Sequence, residues 1–151
     1  MRVPKPNLLG GRGAGIIALM QNLPRERLAI GGPALAAAEC VFEQALEYAK
    51  GRQAFGQPIG RLQHKRFLLA GLATELALAR VFTDRAVAEH VVGRCTAEEA
   101  AMVKWWNTEL CARVADRAVQ LHGGYGYMRE YRSPGRSSTL GYRRSTAEPP
   151  R

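Results

Sequence analysis

Two stretches of the chain combine glycines with residues that could bind a ligand. The first is residues 120–131, QLHGGYGYMREY in one-letter code. Glycine adopts positive φ freely and lets another molecule approach bare backbone. Gln120 adds an amide with two donors and one acceptor. The same pattern also suits a glycine that only ends a helix, so this stretch predicts either a backbone-lined binding site or a helix cap.

The second stretch is residues 52–63, RQAFGQPIGRLQ. Glycine and proline interrupt two helical patterns here and predict a turn between two helices. Arg52, Phe55 and Gln63 are set into this turn, so a charged group, an aromatic ring and an amide lie within one short connection.

Taken together, the two stretches resemble the C-terminal helical domain of the acyl-CoA dehydrogenases, a family of flavoenzymes. Arg-x-x-Phe-Gly-x-Pro-Ile-x-x-x-Gln and Gln-x-x-Gly-Gly-x-Gly are signatures of that domain, at about the family's separation. One such motif is a weak signal. Both motifs in order, joined by long helical patterns, are a strong one. The resemblance covers residues 3–131.

The resemblance implies that this chain holds part of an FAD site. The implied cofactor-binding residues are Arg52, Phe55, Gln63, Gln120, Gly123 and Gly124. A guanidinium suits a pyrophosphate, and the glycines would let backbone approach the ADP part. In the family these groups serve FAD bound mainly by a neighbouring subunit, so a homodimer or homotetramer is implied. The alternative is a solvated Arg52, a core Phe55 and glycines that cap a helix.

The resemblance also implies a catalytic base. Acyl-CoA dehydrogenases remove an α-proton from a thioester while a hydride leaves the β-carbon for the flavin, and a carboxylate must take the proton. In the long-chain and isovaleryl branch this glutamate lies in Glu-Arg-Leu on the first helix of the domain. Residues 23–28, LPRERL, match that branch. Glu26 is thus the implied base, and Arg27 is its structural neighbour and a candidate substrate-binding residue. The alternative is that Glu26 is an ordinary acid near a helix start, where the macrodipole favours it.

The implied substrate is an acyl-CoA, and the implied electron acceptor is an electron-transfer flavoprotein. The family's Tyr-Glu-Gly-Thr segment, its last helix and nearly all of its β-domain are not recognisable in this chain, so we expect the chain to be truncated and inactive by itself. The alternative function is a helical fragment without activity, which acts as an oligomerisation or interaction module, with intact relatives as possible partners.

Helical periodicity supplies the elements that must position these residues. Apolar residues recur at spacings of three and four and predict helical segments at about 16–23, 24–50, 61–92 and 97–121. Asn22 is expected to cap the second segment and Gly51 to end it. A kink or close contact is expected at Gly31–Pro33. No pattern indicates a strand.

Thr96 and Glu99 have the spacing of a capping box at the start of the last helix. The predicted fold is therefore all-α, an antiparallel helical bundle. Its helices exceed the needs of a short three-helix core, so we expect a fourth helix or a neighbouring subunit against it.

Composition and charge divide the chain into three parts. Residues 1–12 are predicted to be a linker from a β-domain, residues 13–131 the bundle, and residues 132–151 a basic disordered tail rich in Arg, Ser, Pro and Gly. The net charge of +9 is concentrated at the ends, with +3 in the first part and +4 in the last, which leaves +2 for the bundle. The charge therefore gives little support for nucleic-acid binding.

The remaining features exclude other classes of protein. No apolar run is long enough to span a membrane. The first six residues lack an apolar core segment and a cleavage site, so we expect a cytoplasmic protein. The chain has three cysteines and no Cys-x-x-Cys spacing, which argues against a zinc site and for free thiols in a reducing compartment.

Overall fold

Three long helices form the fold. The computed structural model describes residues 4, 7, 8 and 10–127, and in this part the helices are α1 (Gly15–Gly51), α2 (Gln63–Val91) and α3 (Ala97–His122). They run up, down and up, so that α1 and α3 are parallel and α2 is antiparallel to both. The all-α helical bundle predicted from the sequence is confirmed.

The helix α1 is continuous where the sequence predicted a break. It passes through both Pro24 and Pro33, and its first turns are not capped by a side chain. Asn22 is not a cap; its Nδ2 donates to Oε1 of Glu26 at 2.8 Å, one turn later. The φ angle of proline is already helical, so an internal proline costs a hydrogen bond and some crowding but does not forbid the helix.

Close contact between α1 and α3 occurs at Gly31, as the sequence predicted. A Cβ atom built on Gly31 would lie 2.8 Å from Cγ1 of Val103 and 3.1 Å from its carbonyl oxygen. Nδ2 of the buried Asn107 donates to the Gly31 carbonyl at 3.1 Å and to Oγ1 of Thr83 at 2.9 Å. These two hydrogen bonds tie all three helices together in one layer.

Apolar residues fill the space on both sides of this polar layer. The larger cluster is built around Leu35, Leu72 and Leu110, and it reaches the end of the bundle where α1 stops. The smaller cluster joins Leu28 with residues of α2 and α3 at the opposite end. The first three turns of α1 extend beyond this smaller cluster, because Arg27 already lies opposite Ala97 at the start of α3.

Helix ends differ in how well the sequence predicted them. The capping box of α3 is confirmed: Oγ1 of Thr96 accepts from the Glu99 amide at 3.1 Å, and Glu99 Oε2 accepts from the Thr96 amide at 3.0 Å. Gly51 is the last residue of α1 and not its cap, because Arg52 caps the helix in an extended conformation.

A small hairpin, which the sequence did not predict, joins α1 to α2. Strand β1 (Gln53–Ala54) pairs antiparallel with β2 (Gln57–Pro58), and a 3-10 helix at Ile59–Arg61 follows. Strands of two residues are too short for an alternating pattern. The amide of Ile59 donates to the Arg52 carbonyl at 2.8 Å and fixes the hairpin to the helix end.

The contact at Gly31 can be tested with two adjacent glycines. We expect Gly31→Ala to lower the free energy of unfolding by about 1–3 kcal/mol, because the new methyl group overpacks the α1–α3 contact. A Cβ on Gly32 has no neighbour within 4 Å, so Gly32→Ala should raise the free energy of unfolding by up to about 1 kcal/mol. Urea denaturation measures both. Equal effects of the two substitutions would contradict the close packing at Gly31.

Candidate functional site

The stretch at residues 52–63 begins where α1 ends. Arg52 is exposed at the helix end, with its backbone held by hydrogen bonds to Tyr48 and Ile59. Phe55 follows in the hairpin turn and is 91% exposed. Its φ of 55° is in the left-handed region, which is uncommon for a residue with a bulky side chain. An exposed aromatic ring on strained backbone is a frequent feature of binding sites.

The stretch at residues 120–131 begins where α3 ends. Gln120 is exposed in the last turn, and Gly123 caps the helix with a φ of 59°. Both the cap and the open backbone that the sequence suggested are therefore present. A Cβ on Gly123 or Gly124 would meet nothing within 4 Å among the residues that the structure describes, which leaves the backbone there open on this part of the surface. Gly126 instead packs against the helix, 3.0 Å from the Val119 carbonyl oxygen when given a Cβ.

Two ring contacts bring the stretches together. The Tyr48 and His122 rings stack with centroids 4.1 Å apart, and the Arg52 guanidinium lies 5.4 Å from the centroid of the Tyr125 ring. His122 is buried, with Nδ1 2.8 Å from the carbonyl oxygen of Ala118. Because α1 and α3 are parallel and end at the same level, the two motifs form one surface. We name this surface, comprising Arg52, Phe55, Gln120, Gly123 and Gly124, the hairpin-end site.

The hairpin-end site offers groups that suit an anionic, flat ligand. Arg52 supplies a guanidinium, Phe55 an exposed aromatic face, and Gly123 and Gly124 supply accessible backbone. Gln63 is exposed at the first turn of α2, directly after the 3-10 helix. These are the donors and surfaces that a dinucleotide needs, since phosphate oxygens accept charge-assisted hydrogen bonds and an adenine stacks on rings.

Glu26 lies far from the hairpin-end site. It is exposed on α1, close to where this helix extends beyond the bundle. Because α1 is continuous, Glu26 and Arg52 are separated by about 39 Å at a rise of 1.5 Å per residue. The alternative that Glu26 is an ordinary acid near a helix start is wrong, since α1 begins at Gly15 and has no acidic residue in its first turn.

Arg27 has a structural contact in this chain. It is half-buried, and its Nη1 donates to the carbonyl oxygen of Ala97 at 3.4 Å. This contact joins α1 to the start of α3, next to Glu26. The role as structural neighbour of Glu26 is thus compatible with its position, while substrate binding stays a prediction.

Sequence reasoning missed the rings that join the two motifs. Neither His122 nor Tyr48 is among the candidate residues selected from the sequence. A signal was present, because Tyr48 stands one helical turn before Arg52 and His122 directly precedes Gly123. Only the parallel arrangement of α1 and α3 makes these two residues neighbours.

Comparison with known proteins shows the family of the chain. Residues 13–143 match the model of the family described as acyl-CoA dehydrogenase, C-terminal domain. The chain belongs to this family. The matched range continues beyond residue 131, into residues outside the part that the structure describes.

Individual relatives match the same part of the chain. The mitochondrial long-chain specific acyl-CoA dehydrogenase of Rattus norvegicus is 41% identical over 131 residues, which cover 87% of this chain and 30% of that protein. The caffeyl-CoA reductase-Etf complex subunit CarC of Acetobacterium woodii is 34% identical over 132 residues, 87% of this chain and 35% of that protein. The chain therefore spans about a third of these relatives.

A solved structure has the same fold. The crystal structure of acyl-CoA dehydrogenase from Geobacillus kaustophilus superposes with a TM-score of 0.85 at 47% identity, covering 89% of this chain and 35% of that one. Among the residues that our structure describes, no helix is both long and apolar enough to cross a membrane.

The stacked pair can be tested by amide hydrogen exchange. We expect Tyr48→Ala to speed exchange at residues 123–126 by about 2- to 10-fold, because a ring pair contributes about 0.5–1.5 kcal/mol. Tyr48→Phe keeps the ring and serves as the control, with exchange close to that of the unmodified chain. Unchanged exchange in Tyr48→Ala would show that the Gly123 turn does not depend on the stack.

Proposed function

We propose that this chain is the part of an acyl-CoA dehydrogenase that binds the ADP portion of FAD and carries the base for α,β-dehydrogenation of an acyl-CoA. The observation that carries the proposal is the hairpin-end site, where both family motifs form one exposed surface. The implied FAD contacts are Arg52, Phe55, Gln63, Gln120, Gly123 and Gly124.

Each residue of the hairpin-end site, and also Gln63 at the start of α2, has a part in this proposed binding. Arg52 holds the pyrophosphate by charge-assisted hydrogen bonds, and Tyr125 under its guanidinium limits its orientation. Phe55 offers a face to a flat group, and Gln63 and Gln120 add amide contacts. Gly123 and Gly124 admit the ligand close to the backbone, because no side chain of residues 10–126 occupies that space.

Glu26 is the proposed base. It takes the α-proton of the acyl thioester, and bound FAD supplies the acceptor for the hydride that leaves the β-carbon. A carboxylate becomes a stronger base when it leaves water, and Glu26 is exposed here. The proposed base thus needs a further apolar surface over it before it can work. Arg27, tied to Ala97, keeps this part of α1 in place and is a candidate contact for the substrate.

The distance between Glu26 and Arg52 favours a shared cofactor site. At about 39 Å along one helix, the two residues of one copy serve different sites. A complete site then combines groups from two copies, so we propose a homodimer or homotetramer. An electron-transfer flavoprotein is the proposed electron acceptor, a choice supported by the relative named as a subunit of an Etf complex. Membership of the branch that acts on long or branched acyl chains stays a prediction. The cytoplasmic location of the chain stays a prediction as well.

A second candidate function is an interaction module without activity. It is favoured by the exposure of Glu26 and by the exposed apolar side chains Phe67, Leu78 and Val81 of α2. The proposal for the isolated chain is that it binds FAD but does not turn over acyl-CoA.

The first test is an FAD titration of the purified chain followed by flavin fluorescence. We expect saturable binding that Arg52→Ala weakens by about 10- to 100-fold, because a hydrogen bond to a charged group contributes about 1.5–3 kcal/mol. Arg61→Ala removes another exposed arginine of the same connection and should leave the affinity within about twofold, as expected for a surface charge. Equal effects of both substitutions would contradict a specific role for Arg52.

The second test is turnover. With FAD, an acyl-CoA and a dye acceptor, we expect no dehydrogenation by the isolated chain, because Glu26 is exposed to water and an acyl-CoA beside it would not be enclosed. The dye's absorbance reports the rate. Robust turnover would refute the proposed inactivity of the isolated chain, and its loss in Glu26→Gln would then identify the base.

A further inference from the structure

Two arginines of the described residues lie against aromatic rings, and they differ in their other contacts. The guanidinium of Arg113 lies 4.9 Å from the centroid of the Trp106 ring, and its Nη2 also donates to Oε2 of Glu75 at 2.8 Å. The guanidinium of Arg52 lies 5.4 Å from the centroid of the Tyr125 ring. Within the part of the chain that the structure describes, no carboxylate forms an ion pair with Arg52.

The sequence around Arg52 is basic and contains no acid that could serve as its partner. Residues 48–74 include five Lys and Arg residues and no Asp or Glu. Glu47, the nearest acid before this segment, pairs with Lys50 at 2.6 Å. A guanidinium in these surroundings is suited to an anion from outside the bundle. A guanidinium that is already held in place also loses less conformational entropy when it binds.

Tyr125 is held where its ring can orient Arg52. It lies in the turn of residues 123–127 and is 37% exposed. The next residue, Gly126, packs against α3, where a Cβ would lie 3.0 Å from the carbonyl oxygen of Val119. The ring of Tyr125 thus extends from the end of α3 to the end of α1. Because an aromatic ring attracts a guanidinium through its face, the N–H groups of the guanidinium can still donate to phosphate oxygens.

We propose that Tyr125 is a positioning residue of the hairpin-end site, where its ring holds the Arg52 guanidinium in the orientation that binds a pyrophosphate. The inference rests on the proposed function and deepens it. Tyr125 acts through Arg52, so its ring contributes to the binding of FAD and of ADP alike, since both contain a pyrophosphate.

The first test is calorimetric titration of the full chain with FAD and, separately, with ADP. We expect Tyr125→Leu to raise both dissociation constants by about 3- to 10-fold, as for the loss of a partly exposed cation–π contact. Tyr125→Phe keeps the ring and should bind within about twofold of the unmodified chain. Trp105→Leu is the matched control and should also stay within about twofold, because Trp105 is an exposed ring of α3 about 27 Å along the helix from Gly123.

A double-variant cycle distinguishes positioning from a general structural role. If Tyr125 acts through Arg52, adding Tyr125→Leu to Arg52→Ala should change the affinity for FAD by less than about twofold. An equal loss of affinity with and without Arg52 would overturn the proposal, because Tyr125 would then act independently of the guanidinium.

Nuclear magnetic resonance tests the contact without a ligand. The Tyr125 ring should shift the Arg52 δ-methylene protons to high field, and this shift should vanish in Tyr125→Leu and remain in Tyr125→Phe. Amide exchange at residues 123–126 should be unchanged in Tyr125→Leu, because the stack of Tyr48 on His122 is retained. Weaker binding then cannot be assigned to a disordered turn. Absence of the ring shift from the unmodified chain would overturn the proposal.

The titrations separate this inference from the proposed function. FAD binding that depends on Arg52 and not on Tyr125 would overturn the inference alone. Absence of FAD and ADP binding in the unmodified chain would refute the proposed cofactor site and overturn the inference with it.

Discussion

The close approach of α1 and α3 at Gly31 is the contact on which the other features depend. No side chain separates the helices there, since the Gly31 backbone lies directly against Val103. Asn107 then reaches the Gly31 carbonyl and Thr83 at once. Because hydrogen bonds with these partners exist at only one register, the contact fixes how far α3 is displaced along α1.

The register of α1 and α3 determines the hairpin-end site. Tyr48 lies seventeen residues after Gly31 on α1. Its ring stacks on His122 because α1 and α3 keep the same register from the polar layer to their ends. Both helices consequently stop at the same level, and Arg52 and the Gly123 turn share one surface. A slip by one turn would move the motifs apart by about 5.4 Å and break both ring contacts.

Because α1 is continuous, it keeps the proposed base and the proposed flavin contact apart. The helix carries Glu26 near one end and leads to Arg52 at the other, so the two proposed functions are held apart on one rigid element. Glu26 is exposed, and so are large apolar side chains of α2 such as Phe67 and Val81. Flavin binding, proton abstraction and association are therefore proposed for the same assembly, although each can be measured separately.

Several features followed from local sequence alone. The lengths of α2 and α3 came from apolar spacing, and the capping box at Thr96 came from two residue types three positions apart. Local patterns suffice there because both depend on contacts within one or two turns. The family also followed from the two motifs, since their residue types and order are specific.

Local sequence patterns gave wrong predictions where distant contacts or backbone geometry determine the structure. Pro24 and Asn22 resemble a helix start, yet α1 continues through them, because proline in a helix is costly but permitted. The hairpin at Gln53–Pro58 is too short to have a period. The left-handed backbone of Phe55 is likewise not indicated by its residue type.

The sequence by itself determined the residue types of the candidate site, the helices that carry them and the family. Tertiary structure alone decided that the two motifs form one surface and that Tyr48 and His122 join them, whereas the continuity of α1 separates Glu26 from Arg52. The physical reason is that these relations depend on helix direction and register, which are set by the packing at Gly31 and the hydrogen bonds of Asn107 between residues distant in the chain.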